Sequence, residues 1–218
     1  SMAGLMAMAA DWGWNTFIIL SGMIENLREQ TQARLISDLN SPGNNNWIPL
    51  NSLSKHTELG QRTQNLHFNE GSPNRYLNVC LKNKTRLENL VSWFKDDPNK
   101  LQQMKIIIID DEADQGSINT NKIDENERTT INNLIIDLVN INSQRKKPKA
   151  VNYISYTATP YSNFLNESTD ESLYPKDFIG VLPTAAEYFG PKQIFGGEEL
   201  DETEEKRLDI VRIISLED

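Results

Sequence analysis

The feature that most constrains the fold is a run of four isoleucines, residues 106–109, followed directly by the acidic segment Asp-Asp-Glu-Ala-Asp at residues 110–114. β-branched side chains favour strands, and an uninterrupted apolar run is typical of a strand covered on both faces of a sheet. Because unpaired carboxylates are costly to bury, we expect the acidic segment at the carboxyl end of this strand, facing a crevice. Such an arrangement can hold Mg²⁺ and a water molecule beside a nucleotide phosphate. A buried strand that simply enters an acidic surface turn is the alternative.

Strand and helix patterns alternate along the chain, which predicts an α/β fold with a parallel sheet. Apolar, β-branched and aromatic side chains predict three further strands at residues 15–20, 76–81 and 151–156. Apolar spacing or helix propensity predicts helices at residues 2–10, 24–35, 87–94 and 131–139.

The second of these helices is predicted to bury Ile24, Leu27, Ala33 and Leu35, which lie between polar residues. The main domain is predicted to span residues 1–197, with a polar insertion at about residues 40–75. Residues 198–218 are predicted to be an acidic linker and the start of a following element.

Composition favours a cytoplasmic protein. Cys80 is the only cysteine, which excludes an intrachain disulfide framework and a cysteine-rich zinc site, and it is predicted to be a small core side chain. No apolar run is long enough to span a bilayer, and no secretory signal is visible, so no membrane partner is expected. The net charge of −9 argues against a surface coated with phosphate-binding cations but is compatible with a local basic groove.

A second polar turn, Thr157-Ala158-Thr159-Pro160, follows the predicted strand 151–156. In this order, with a helix between them, the two strand ends resemble motif II (Walker B) and motif III of superfamily-two helicases. Residues 21–31, Ser-Gly-Met-Ile-Glu-Asn-Leu-Arg-Glu-Gln-Thr, resemble motif Ia, except that Glu25 stands where an arginine is usual. The set is most similar to the Z-one domain family of bacterial helicase-like ATPases, which are often described as endonuclease-associated. The resemblance covers residues 3–197 and implies a three-layer RecA-like (P-loop NTPase) sheet flanked by helices.

The resemblance also implies roles for the acidic residues, with Mg²⁺ and ATP as cofactors. Asp111 would hold Mg²⁺, usually through water, and Glu112 would orient and deprotonate the attacking water. Asp114 would pair with neighbouring motifs. The residues that would couple the nucleotide site to a nucleic-acid groove are Thr157, Ala158 and Thr159.

Nucleic acid, DNA in particular, is the expected partner, together with other subunits of a restriction, defence or DNA-repair system. Backbone amides and cations at strand ends contact phosphates, so contacts are predicted at Ser21, Gly22, Arg28, Gln30 and Lys82. A solvated turn is the alternative explanation of Lys82.

One part of the family pattern is missing, because no Gly-x-x-x-x-Gly-Lys-Ser/Thr motif occurs in the 218 residues. Residues 2–10 occupy the place of the helix that follows this phosphate-binding loop in the family. We therefore expect a first lobe only, which begins just after the loop and lacks the first strand; a natural ATPase-dead homologue is the alternative. Without the loop and a second lobe, the chain is expected neither to bind ATP tightly nor to hydrolyse it.

Two other classes of function compete with an ATPase motor. The first is a metal-dependent endonuclease, in which Asp111, Glu112 and Asp114 would bind the metal. The second is a non-catalytic interaction domain that docks through its acidic tail.

Overall fold

The structure, a computed structural model, describes residues 2–50, 66–115, 130–160, 173–183 and 188–190. The chain divides into two compact units, residues 1–177 and 178–218. All helices and strands of the described residues belong to the first unit. The helices are Met2–Asp11 (α1), Glu25–Leu39 (α2), Lys84–Asp96 (α3), Pro98–Leu101 (α4) and Thr130–Val139 (α5). The strands are Thr16–Ser21 (β1), Trp47–Leu50 (β2), Arg75–Leu81 (β3), Lys105–Asp111 (β4) and Ala150–Tyr156 (β5).

The five strands form one sheet in the order β2-β3-β1-β4-β5, and every neighbouring pair is parallel. β1 lies at the centre, and all six of its residues are buried. The predicted parallel α/β fold is therefore confirmed, and the four strands predicted from the sequence are present to within two residues at each end.

Helices cover both faces of the sheet, which makes the unit three-layered. Alternate isoleucines of β4 point to opposite faces, as the two-residue period of a strand requires. Ile106 and Ile108 pack in the core that contains the buried side chains of α3 and α5. Ile107 and Ile109 pack in the core formed with α1 and α2. The uninterrupted isoleucine run is thus explained by a strand that is buried on both faces of the sheet.

The predicted polar insertion at residues 40–75 was wrong in part, because it contains β2. Trp47 and Leu50 are buried, and the Trp47 ring packs on Phe17 with centroids 4.7 Å apart. The strand has only four residues and includes Pro49, which lacks a backbone N–H and is tolerated on an edge strand. A segment this short has too few residues to show a strand period. Residues 51–65 of the insertion lie outside the described residues.

The predicted buried face of α2 was wrong in part, because Leu35 is buried as predicted whereas Ile24, Leu27 and Ala33 are exposed. Ile24 and Leu27 are 59% and 54% exposed, whereas the buried residues of the helix are Arg28 and Leu35. These two are seven residues apart and therefore lie on one side of the helix. The aliphatic stem of Arg28 supplies apolar contact that hydrophobic spacing alone does not reveal.

The predicted boundary at residue 197 and the acidic segment 198–218 lie outside the described residues. Among the helices that the structure does describe, none has both the length and the apolar character needed to span a lipid bilayer.

Candidate functional site

The ends of four strands meet at one edge of the sheet, because all strands are parallel. Ser21 of β1 is paired with Leu81 of β3, and Asp111 of β4 is paired with Tyr156 of β5. The segments that follow these residues carry most of the predicted site. Ligands of open parallel α/β sheets bind at this carboxyl edge, so the chain presents its polar residues where such a site is expected.

Asp114 contacts the turn that follows β5. Thr157 donates its hydroxyl to Asp114 Oδ1 at 2.8 Å, and Thr159 donates to Asp114 Oδ2 at 2.6 Å. The hydrogen bond from Thr159, followed by that from Thr157, lowers the pKa of the Asp114 carboxyl, because both stabilise its charged form. The backbone N–H of Thr159 donates to Thr157 Oγ1 at 3.0 Å, and Ala158 between them is exposed. The structure thus brings together two segments that sequence motifs singled out separately.

Glu112 forms the turn that ends β4. Its φ is 53°, in the left-handed region, which costs a non-glycine residue roughly 1–2 kcal/mol. The next residue, Ala113, is fully buried, and its N–H donates to the Tyr156 carbonyl at 3.0 Å. Strained backbone of this kind is concentrated at functional sites, where surrounding contacts enforce it.

The Glu112 carboxylate lies against Gly22, directly after β1. A Cβ atom placed on Gly22 would be 2.9 Å from Glu112 Oε2, closer than side chains normally approach. Glycine at this position therefore leaves room for the carboxylate. Asp111, the last residue of β4, is half-buried, and Glu112, which follows it, is exposed.

Lys82, where a nucleic-acid contact was predicted, is buried rather than at the surface. Its side chain is 1% exposed and its Nζ lies 3.0 Å from Oδ1 of Asp110, which is fully buried. Tyr153 donates its hydroxyl to Asp110 Oδ2 at 2.6 Å. Burial raises the pKa of the Tyr153 phenol, and the neighbouring Asp110 charge raises it further.

Sequence reasoning missed this pairing, although a signal was present. Asp110 follows Ile106 and Ile108 at a spacing of two, so it lies on the same covered face of β4. A carboxylate in that position needs a buried partner. That partner, Lys82, follows β3, which is separated from β4 by β1 in the sheet.

Two further residues predicted to contact nucleic acid, Ser21 and Arg28, are also buried. The Ser21 hydroxyl is buried and donates to the Cys80 carbonyl at 3.3 Å. Arg28 is 6% exposed, and its guanidinium donates to Glu25 at 2.6 Å. Gln30 is exposed and Gly22 is half-buried. Cys80 is buried as predicted, and burial raises the pKa of its thiol to about 12.

The described residues contain no group of three or more His, Cys, Asp and Glu side chains arranged to hold a metal ion. Mg²⁺ in nucleotide sites is bound by one or two carboxylates together with phosphate oxygens and waters. Asp111 and Glu112 could supply the one or two carboxylates of such a Mg²⁺ site. They are too few to bind the ion without phosphate oxygens and waters.

Comparison of the chain with protein-family models, curated proteins and solved structures gives no match. The resemblance to the Z-one domain family therefore remains a prediction from sequence motifs.

Proposed function

We propose that the chain is part of the first lobe of a helicase-like, P-loop-type ATPase that works on nucleic acid. The observation that carries this proposal is the contact of Asp114 with Thr157 and Thr159, at 2.8 and 2.6 Å. These residues are 43 and 45 positions apart in the sequence, yet their side chains form one hydrogen-bonded cluster at adjacent strand ends. Walker B and motif III residues of superfamily-two helicases are expected to meet in this way.

Within this proposal Asp111 holds Mg²⁺, usually through water, and Glu112 orients and deprotonates the attacking water. Bound Mg²⁺ would neutralise charge on the transferred phosphoryl group. Phosphoryl transfer depends on positioning and charge stabilisation, so it needs a metal-binding carboxylate and a base side by side. In this proposal the Glu112 turn places Asp111 and Glu112 in that way. A change at the nucleotide site would reach residues 157–159 through the hydrogen bonds between Asp114 and the threonine hydroxyls.

ATP hydrolysis also requires a phosphate-binding loop, and these 218 residues contain no Gly-x-x-x-x-Gly-Lys-Ser/Thr motif. The proposal therefore applies to the protein to which these 218 residues belong, which is called the complete protein below. Its expected partner is DNA, within a cytoplasmic restriction, defence or repair system. Because Ser21, Arg28 and Lys82 are buried, the proposal assigns none of these three side chains to a phosphate contact.

The endonuclease alternative fits the geometry less well. It needs Asp114 as a metal ligand beside Asp111 and Glu112. Both carboxylate oxygens of Asp114 accept hydrogen bonds from threonine hydroxyls, which orients them toward residues 157–159.

An ATPase assay on the complete protein, with and without DNA or RNA, tests the proposal. We expect Mg²⁺-dependent ATP hydrolysis that nucleic acid stimulates and that Asp111→Asn abolishes. Glu88→Asn, at an exposed position of α3, is the control and should retain hydrolysis. DNA cleavage without ATP hydrolysis would support the endonuclease instead, and neither activity would indicate an interaction domain.

A further inference from the structure

Lys82 is a buried charge that the proposed reaction does not use. Three oxygen atoms lie within hydrogen-bonding distance of its Nζ: Asp110 Oδ1 at 3.0 Å, the Asp111 carbonyl at 2.8 Å and the Glu112 carbonyl at 2.7 Å. We propose that Lys82 is a positioning residue, which holds the Glu112 turn in its left-handed conformation and so fixes the direction of the Asp111 and Glu112 carboxylates. The catalytic consequence of this inference rests on the proposed function; the conformational claim does not.

The turn needs such support because its conformation is unfavourable for an L-residue. Glu112 has a φ of 53°. Its carbonyl accepts from Lys82 Nζ at 2.7 Å and from the Gln115 N–H at 2.8 Å. Charge-assisted hydrogen bonds are stronger than neutral ones, so the ammonium is the stronger of the two donors. By binding the carbonyls of Asp111 and Glu112, Lys82 restrains the peptide groups on both sides of the Glu112 Cα.

Asp110 and Tyr153 offset the cost of burying the charge of Lys82. Asp110 offers one oxygen to Lys82 at 3.0 Å and the other to the Tyr153 hydroxyl at 2.6 Å. Lys82 directly follows β3, Asp110 belongs to β4 and Tyr153 to β5, so the cluster links the ends of three strands through Asp110.

A stabilising role alone does not explain this arrangement. Apolar residues of similar volume commonly replace a buried ion pair without loss of stability. Two apolar side chains, however, cannot donate hydrogen bonds to the Asp111 and Glu112 carbonyls. Positioning of the turn is the property that requires the lysine.

The test compares three variants of the 218-residue chain: Lys82→Met, the double variant Lys82→Met with Asp110→Asn, and the control Lys84→Met. Lys84 is 66% exposed and lies two residues further along the chain. Lys82→Met alone leaves the Asp110 charge without its cation, so it is expected to lower the melting temperature by roughly 10 °C. The double variant removes both charges and should fold.

Two measurements on the folded variants report positioning rather than stability. NMR couplings and carbon shifts give the φ of Glu112, and paramagnetic broadening by Mn²⁺ alone gives the place and affinity of metal binding. We expect the double variant to lose the positive φ and to bind Mn²⁺ at least about 10-fold more weakly, with Lys84→Met unchanged.

A folded double variant that keeps both the positive φ and the parent Mn²⁺ affinity would overturn the proposal. So would unfolding of both Lys82 variants under conditions in which Lys84→Met is folded, because the pair would then serve folding itself. If the parent chain shows no Mn²⁺ broadening near Asp111, the φ of Glu112 alone decides the role of Lys82, because Mg²⁺ in nucleotide sites also needs phosphate oxygens. Failure of the proposed function is then read from the ATPase assay.

Discussion

Asp114 is the residue whose charge the candidate site controls most directly. Its pKa lies below the ordinary value of 3.8, first because Thr159 and then because Thr157 donates a hydrogen bond to the carboxylate. A carboxyl whose pKa is lower in the folded than in the unfolded chain stabilises the fold at neutral pH. That contribution is fully present above the unfolded pKa and is lost as the pH falls through the folded pKa.

Thr159→Val tests this electrostatic role. The variant removes the largest cause of the lowered pKa, so the Asp114 pKa should rise toward 3.8, as measured by NMR titration of its carboxyl carbon. The variant should be less stable than the parent at pH 6, and the difference should shrink as the pH falls below 3.8. Thr85→Val, at an exposed position of α3, is the control. An unchanged Asp114 pKa in the Thr159 variant would contradict the hydrogen bond.

Gly22 tests the placement of the other carboxylate. In Gly22→Ala the new Cβ would lie 2.9 Å from Glu112 Oε2, so the carboxylate must move. If Glu112 is the general base, ATP turnover of the complete protein should fall roughly 10- to 100-fold, because displacement of a catalytic group by about 1 Å has effects of this size. Gly180→Ala is the matched control, since its Cβ meets its nearest neighbour, in Phe178, at 3.8 Å. Full turnover in Gly22→Ala would argue against this placement of Glu112.

At the scale of elements, the sequence predicts strands well where burial on both faces produces a strong composition signal. The run 106–109 is such a case, because β-branching and continuous apolarity agree there. β2 could not be predicted, since a four-residue edge strand that contains Pro49 is held by its pairing with β3. Such pairing is not encoded in the local pattern.

In α2, by contrast, the local pattern predicted burial for residues that are exposed. Leu35 is 1% exposed and Leu27 is 54% exposed, although the sequence analysis expected both to be buried. We expect Leu35→Ala to lower the free energy of unfolding by about 2–5 kcal/mol, since it leaves a cavity in the core. Leu27→Ala should change it by less than about 0.5 kcal/mol. Urea unfolding of both variants measures the difference, and equal losses would mean that the helix buries the face predicted from the sequence.

The whole molecule explains why the sequence could indicate some residues of the candidate site and not others. Asp111 ends a strand, Glu112, Asp114 and the two threonines follow one, and parallel strands deliver such residues to one edge. The Lys82–Asp110 pair joins residues 28 positions apart, and its burial depends on how the sheet is covered. No local pattern around Lys82 distinguishes it from a surface lysine.

The same arrangement defines what the protein is proposed to do. The sheet supplies a rigid base, and the turns at its carboxyl edge carry a candidate metal ligand, a candidate base and a carboxylate linked to residues 157–159. If this edge is an ATPase centre, removal of the Glu112 carboxylate must lower the rate of ATP hydrolysis and leave nucleotide affinity unchanged.

Glu112→Gln in the complete protein is the most direct measurement of that claim. The amide keeps the size of the side chain and cannot accept a proton from water, so ATP turnover should fall by about 10²- to 10⁴-fold. Binding of Mg-ATP, measured by calorimetry, should change by less than about 3-fold because the phosphate contacts are made elsewhere. Glu88→Gln, at an exposed position of α3, should leave both quantities unchanged. Turnover at the parent rate in Glu112→Gln would contradict the assignment of this edge as an ATPase centre.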